Sequence, residues 1–106
     1  MIITPLLQLA AEKQASDLFL SVGAPISIKI DGVTMPVNAQ KLDGDATKRI
    51  AYEMMTPVQI AEFEAHKEMN FSFRVPQVGN FRVNVFRQRG SVAIVIRYVL
   101  GKVFEV

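Results

Sequence analysis

Cysteine is absent from this chain and histidine occurs once, at position 66. The first absence excludes a disulfide framework, a thiolate site, a zinc ribbon and a redox pair. The two together leave too few nitrogen and sulfur ligands for a metal site within one chain. A Ser-His-Asp site would have to recruit His66. The pattern puts that residue in the last turn of a helix, ordinarily a surface position that suits a cation. No apolar run approaches the roughly 18 residues of a membrane span. The start, Met1-Ile2-Ile3-Thr4-Pro5-Leu6-Leu7, has no basic segment and is broken by Pro5, which argues against a secretory signal. A soluble chain in a reducing, cytoplasmic setting is the expectation.

What is present suits one folded domain. The 106 residues are 50% hydrophobic and 21% charged, too apolar and too weakly charged for a disordered segment. A chain of this length removes about 60–70% of its unfolded surface from water, enough for one core. The net charge is +2, unevenly spread. From Asn70 onward six cations face Glu105 alone, net +5, which leaves −3 for the residues before it. Five of those six cations are arginine, whose planar fork suits phosphate. An anionic partner for the last third is one reading of this asymmetry. The plainer one is that strands need charge on their solvent face.

The pattern along the chain predicts α+β. A short helix runs from Thr4 or Pro5 to about Lys13, with Thr4 as cap, Pro5 at the first helical position, and Leu6, Leu9 and Ala10 on one face. A strand over 17–22 puts Leu18, Leu20 and Val22 on one side. Ile26 to Ile30 alternates into Asp31-Gly32, the dipeptide of a two-residue type I′ hairpin. That turn pairs Ile30 with Val33, Ile28 with Met35 and Ile26 with Val37. A helix capped near Asp43 runs to about Met55 with Ala46, Ile50 and Met54 inward. Thr56-Pro57-Val58-Gln59 then opens another as a capping box, with Met55 and Ile60 placed as a staple, Ile60 and Phe63 inward, and an end near His66. Three strands follow, over 69–75, 81–88 and 91–99. The order is α-β-β-β-α-α-β-β-β, an antiparallel sheet of about six strands with helices gathered on one face.

The last hairpin carries the chemistry. A two-residue loop at Arg89-Gly90 sets Val85 against Ile94, Val83 against Ile96 and Phe81 against Tyr98, a compact apolar layer. On the opposite face Arg82 lies directly across from Arg97, flanked by Asn84 and Val95, then Phe86 and Ala93. Like charges so placed repel by roughly 0.2–1 kcal/mol, so the pairing makes sense if an anion sits between them. The plainer account packs each stem on Val95 or Phe86 with its head in water. If the two arginines face each other only to serve a phosphate, Arg97→Ala leaves stability unchanged or slightly raised.

Several sharper motifs are missing. Gly101-Lys102 is followed by Val103, and Ile96 stands where the first glycine of a phosphate-binding loop belongs. No basic recognition helix is visible. The 79–86 segment faintly echoes an RNA-recognition strand, but Phe81 falls with the core set and the element order is wrong for that module.

Three separated blocks carry a family resemblance. Ala15-Ser16-Asp17-Leu18-Phe19-Leu20-Ser21-Val22-Gly23-Ala24-Pro25, then Ile28-Lys29-Ile30-Asp31-Gly32, then Gly79 to Phe86 with Gln88-Arg89 and Val95-Ile96-Arg97, resemble the N-terminal domain of type IV pilus retraction ATPases. These are the PilT/PilU twitching-motility proteins of the secretion-ATPase superfamily, and the resemblance spans nearly the whole chain in order. PilT-like members usually carry histidine where Phe19 stands. Phe19, with Glu68-Met69-Asn70-Phe71, is similar to the PilU-like branch.

The resemblance implies a PAS-like domain over residues 1–106, placed before a RecA-like ATPase domain in a homo-hexameric ring at the cytoplasmic face of the bacterial inner membrane. Walker A, Walker B and the catalytic glutamate would lie on that second domain, beyond Val106. This chain is then no enzyme and holds no cofactor of its own, ATP and magnesium being bound by the ATPase domain. Its partners would be that domain, neighbouring subunits, a paralogous retraction ATPase and the inner-membrane pilus platform protein, with no nucleic acid. In the wider superfamily, arginines of the last two strands reach nucleotide held by the ATPase domain, and Arg82 and Arg97 match those positions. Arg87 and Arg89, near the hairpin tip, are further candidates for subunit or phosphate contacts.

Two other readings stay open. One is a stand-alone PAS-like ligand-sensing or protein-interaction domain, although the expected inward set (Leu20, Ile28, Met35, Phe81, Val83, Ile94, Ile96) offers no polar group to orient a ligand. The other is attachment to an anionic membrane through the basic third, which predicts salt dependence without nucleotide dependence.

Overall fold

The helix ends are set by short-range hydrogen bonds. In the structure, a computed structural model describing residues 3–99, Asp43 caps α2 (Gly44–Met54) by accepting from the Ala46 amide at 2.8 Å. Thr56 Oγ1 accepts from the Gln59 amide while Gln59 Oε1 accepts from the Thr56 amide, the complete capping box of α3 (Pro57–His66). These bonds satisfy amides that no helical carbonyl can reach. Helix α1 (Thr4–Glu12) departs from expectation: its cap is Ile3, which makes no side-chain capping bond. Ile3 is fully buried, so burying an apolar side chain overrides the hydroxyl of Thr4, which becomes the first helical residue. Leu7 and Ala10 are buried on this helix, with Leu6 and Leu9 packed at the margin.

Six strands form one antiparallel sheet: β1 (Asp17–Leu20), β2 (Pro25–Ile30), β3 (Val33–Lys41), β4 (Glu68–Val75), β5 (Gly79–Gln88) and β6 (Ser91–Val99). Their spatial order is β3-β2-β1-β6-β5-β4. The β2–β3 hairpin, extended by β1, meets the β5–β6 hairpin in the middle where β1 pairs with β6. Both of those hairpins turn on two residues at positive φ, Asp31 and Gly32 in one, Arg89 and Gly90 in the other, the type I′ pattern that matches strand twist.

Register in β5–β6 is as the pattern predicts, from Gln88↔Ser91 through Arg82↔Arg97 to Phe81↔Tyr98. In β2–β3 the pairs Ile30↔Val33 and Ile28↔Met35 hold, but the ladder shifts beyond Ser27↔Pro36 and next pairs Pro25 with Lys41. The expected Ile26–Val37 pair is lost there, where the Asn38 side chain turns the backbone by accepting from the Gln40 amide at 2.9 Å. Alternation from the tight turn puts the backbone of Pro36 toward the free edge of the sheet. Its missing N–H therefore costs no ladder bond and blunts the edge.

One face of the sheet is buried by all three helices. Leu18, Leu20, Ile28, Phe71, Phe81, Val83, Val85, Ile94 and Ile96 join Leu7, Ile50, Ala51, Met54 and Phe63 in a single apolar cluster. Two expected members of the inward faces fall outside it. Met35 is 41% exposed because β3 lies at the sheet edge, and Val22 is 41% exposed because β1 ends at Leu20. Thr47, buried within α2, donates its hydroxyl to the Gly44 carbonyl. The opposite face, carrying Arg82, Asn84, Phe86, Val95 and Arg97, is half-buried or exposed throughout these positions, and no helix among the described residues covers it. No helix among the described residues is long and apolar enough to cross a membrane.

Candidate functional site

The bare face is organised in rows by register. One row runs Lys29, Asp17, Arg97, Arg82, Ser72 across strands β2, β1, β6, β5 and β4. The next runs Ser27, Phe19, Val95, Asn84, Asn70 across the same strands. Arg82 and Arg97 are thus nearest cross-strand neighbours, as the sequence pattern predicts. Both line a shallow open depression of about 500 Å³ with Asn70, Asn84, Val83 and Val95.

The structure adds a partner that hairpin pairing cannot reveal. Asp17 Oδ1 lies 3.4 Å from Arg97 Nε, accepting its hydrogen. The Asp17 side chain is 11% exposed while that of Arg97 is 72% exposed. The carboxylate is therefore a buried anchor gripping one edge of the guanidinium. The terminal nitrogens of Arg97 make no hydrogen bond to any described residue, so the outer part of the fork remains open. Arg82 has no ion pair or side-chain hydrogen bond among the described residues. Asp17 relieves part of the arginine–arginine repulsion and positions one cation beside another without consuming either. Guanidinium forks with open terminal nitrogens can pair bidentately with carboxylate or phosphate oxygens. Alternation alone places Asp17 on this face, but only the β1–β6 pairing, between strands nearly 80 residues apart, sets it beside Arg97.

Asn84, one of the residues lining the depression, carries an unmet hydrogen-bond acceptor beneath the surface. Asn84 Oδ1 is buried and has no partner, an arrangement that costs about 1–3 kcal/mol when left unpaired.

The other two candidate arginines lie elsewhere. Arg87 is on the helix-covered face, its guanidinium 5.6 Å from the centroid of the buried Phe63 ring and its Nη1 donating to the Gly90 carbonyl at 3.0 Å. Those contacts cover the core and close the hairpin tip. Arg89 occupies the turn itself at φ 54° and borders a separate depression with Ser21, Gln88 and Ser91. Neither joins Arg82 and Arg97. His66 is exposed at the end of α3. Lys102 and Glu105, counted in the charge of the last third, lie outside the described residues, as does the stretch up to Val106.

No family model matches the chain. Over 101 residues, 95% of this chain, it is 40% identical to the type IV pilus retraction ATPase PilT of Pseudomonas aeruginosa, covering 29% of that protein. Over 94 residues, 89% of this chain, it is 37% identical to the type IV pilus ATPase PilU of the same organism, covering 25% of it. The chain is homologous to the N-terminal region of PilT and PilU. Among solved structures, the pilus retraction motor PilT with bound ADP superposes on 94% of this chain with a TM-score of 0.85 at 35% identity, again covering 29% of that protein. The Legionella pneumophila ATPase DotB shares the fold, with a TM-score of 0.74 at 18% identity over 92% of this chain. The two sequence identities are nearly equal, so the match is to the retraction ATPases as a group and not to one branch. This chain spans between a quarter and a third of the length of its PilT and PilU relatives.

Proposed function

We propose that this chain is a non-catalytic regulatory and assembly domain of a type IV pilus retraction motor. In that role it closes over ATP held by a RecA-like domain and sets Arg82 and Arg97 against the phosphates. The observation that carries this reading is the pair itself. Two arginines face each other on the one sheet face the helices leave bare, one tethered by its Nε to a buried carboxylate with its terminal nitrogens open. A sheet gains nothing structural from opposing two like charges, and homology to nucleotide-driven motors supports an anion as the missing third member. Preorganised cations aimed at phosphate stabilise charge that develops during phosphoryl transfer. They also couple nucleotide state to the position of the domain. Packing against neighbouring subunits in a hexameric ring and a place at the inner face of the inner membrane belong to the same proposal.

The test uses the full-length motor. Arg82→Ala and Arg97→Ala should each lower ATP hydrolysis sharply, by a factor on the order of 10³ for an arginine that completes a phosphate site. Arg97→Lys should recover only part, since a point charge cannot reproduce the fork. The 106-residue chain alone, having no phosphate-binding loop in its sequence, should turn over no ATP. Rings of normal assembly that hydrolyse ATP at the unsubstituted rate without either arginine would overturn the reading.

A further inference from the structure

The two edges of the sheet are built differently. At one, β3 carries Pro36, ends in Lys41 and breaks register beyond Ser27↔Pro36, devices that keep a strand edge from recruiting another strand. At the other, β4 runs for eight residues, Glu68 to Val75, in unbroken register with β5 and holds no proline. No strand among the described residues pairs its outer side. Hydrogen-bond parity fixes which groups are open there. The Arg87 amide donates to the Lys67 carbonyl at 3.2 Å, so bonded pairs recur at every second residue and Met69, Phe71, Phe73 and Val75 turn their backbone toward β5. The amides and carbonyls of Glu68, Asn70, Ser72 and Arg74 therefore face outward. Those four residues are exposed, and neither Glu68 nor Arg74 has an ion pair among the described residues.

We infer that β4 pairs antiparallel with β4 of a second copy of this chain, about a twofold axis at Phe71, joining the two sheets into one. The strand is self-complementary in that register. Glu68 of each copy lies opposite Arg74 of the other, Asn70 opposite Ser72, and Met69 opposite Phe73. Every pair that must exchange hydrogen bonds is a pair of outward-facing residues, so parity and charge select the same register. A shift by two residues keeps the parity but loses both Glu68–Arg74 pairs. On the helix side, Met69 and Phe73, each half-buried in one chain, cover one another across the axis. Such a contact is isologous and closes at two copies, so it joins chains in pairs and differs from any contact that repeats round a ring. Arg82 and Arg97 take no part in it. A single strand edge is a small contact, which places the pairing among weak, reversible associations.

Sedimentation equilibrium of the 106-residue chain tests the pairing. The average mass should rise from 11.8 kDa toward twice that value between about 10 µM and 1 mM. Glu68→Arg and Arg74→Glu each set like charges opposite one another on both sides of the axis, and each should weaken self-association on the order of tenfold. An equimolar mixture of the two variants restores both opposite-charge pairs and should associate as the unsubstituted chain does. Ser72→Pro removes an outward amide that the β4–β5 ladder does not use, so that chain should keep its circular dichroism spectrum and stay monomeric. A chain that is monomeric at about 1 mM would overturn the proposal and give the edge to a different occupant. Association that survives Ser72→Pro, or that ignores both charge reversals, would show that another surface carries it, and a mixture no stronger than its components would overturn the register. The concentration series needs no substitution, so the proposal can fail even if a variant folds poorly.

Discussion

Arg82 and Arg97 are equivalent by hairpin register, and removing each should have a different effect on stability. Strand pairing alone makes either substitution neutral or slightly stabilising, since it relieves a repulsion worth about 0.2–1 kcal/mol. For Arg97, Asp17 changes the sign. A hydrogen bond to a charged group contributes about 1.5–3 kcal/mol, but the 3.4 Å separation is long for a charged pair and the Arg97 side chain is 72% exposed, so solvent screening reduces it. The loss that remains is dominated by Asp17, a carboxylate only 11% exposed that would keep Lys29 alone as a cationic register neighbour. After subtracting the relieved repulsion, Arg97→Ala should cost about 0.5–1.5 kcal/mol, whereas Arg82→Ala should fall within about 0.5 kcal/mol of zero or stabilise. Urea melts of the 106-residue chain, followed by far-ultraviolet circular dichroism, measure both. A double-mutant cycle with Asp17→Asn should return a coupling of about 0.5–1 kcal/mol for Arg97 and none for Arg82. Equal effects of the two alanine substitutions, or zero coupling between Asp17 and Arg97, would refute the tether.

Ile94→Ala and Ile28→Ala should each cost about 2–5 kcal/mol in the same melts, because both side chains lie in the buried sheet layer; a neutral result at either position would mean the strand faces are inverted. Tyr52 Oη donates to Glu64 Oε2 at 2.8 Å, and its phenol is pushed above the ordinary value of 10.0 by burial first and by Glu64 second. The folded chain therefore keeps that proton to higher pH than the unfolded chain. The associated stability is intact below about pH 10 and is lost as pH rises through the unfolded and then the folded value, so Tyr52→Phe should flatten the decline measured in alkaline melts. Gly79 has φ 149°, and a Cβ there would sit 2.8 Å from Tyr98 Cε1; Gly79→Ala should cost about 1–3 kcal/mol, and a smaller loss in a Tyr98→Ala background separates ring overlap from backbone strain.

The features legible in the sequence were those whose chemistry closes within a few residues. Asp31-Gly32 and Arg89-Gly90 allow positive φ at two central positions, and the alternation on either side fixes a register that agrees with the turn. The face-to-face placement of Arg82 and Arg97 follows from that agreement alone, as does the capping box at Thr56. Where a local signal competed with burial, burial decided: Ile3 displaced Thr4 as the cap of α1, and Met35 and Val22, apolar and in phase, stayed exposed because the sheet and its helices do not extend over them. The β2–β3 register slipped beyond Ser27 because no turn chemistry constrains a hairpin that far from its loop. What the tertiary structure alone decided was the meeting of the two hairpins. Pairing of β1 with β6 joins residues nearly 80 positions apart, and no local pattern encodes which strand edge another will find. That pairing put Asp17 beside Arg97 and set the terminal nitrogens of the fork free while holding its Nε. Alternation within the last hairpin had already divided its four arginines. Arg87 went to the helix face over Phe63, Arg89 to the turn, and Arg82 and Arg97 to the bare face. Register is a local consequence of turn geometry and side-chain alternation. The neighbour of an edge strand is settled only when the whole apolar face is buried at once.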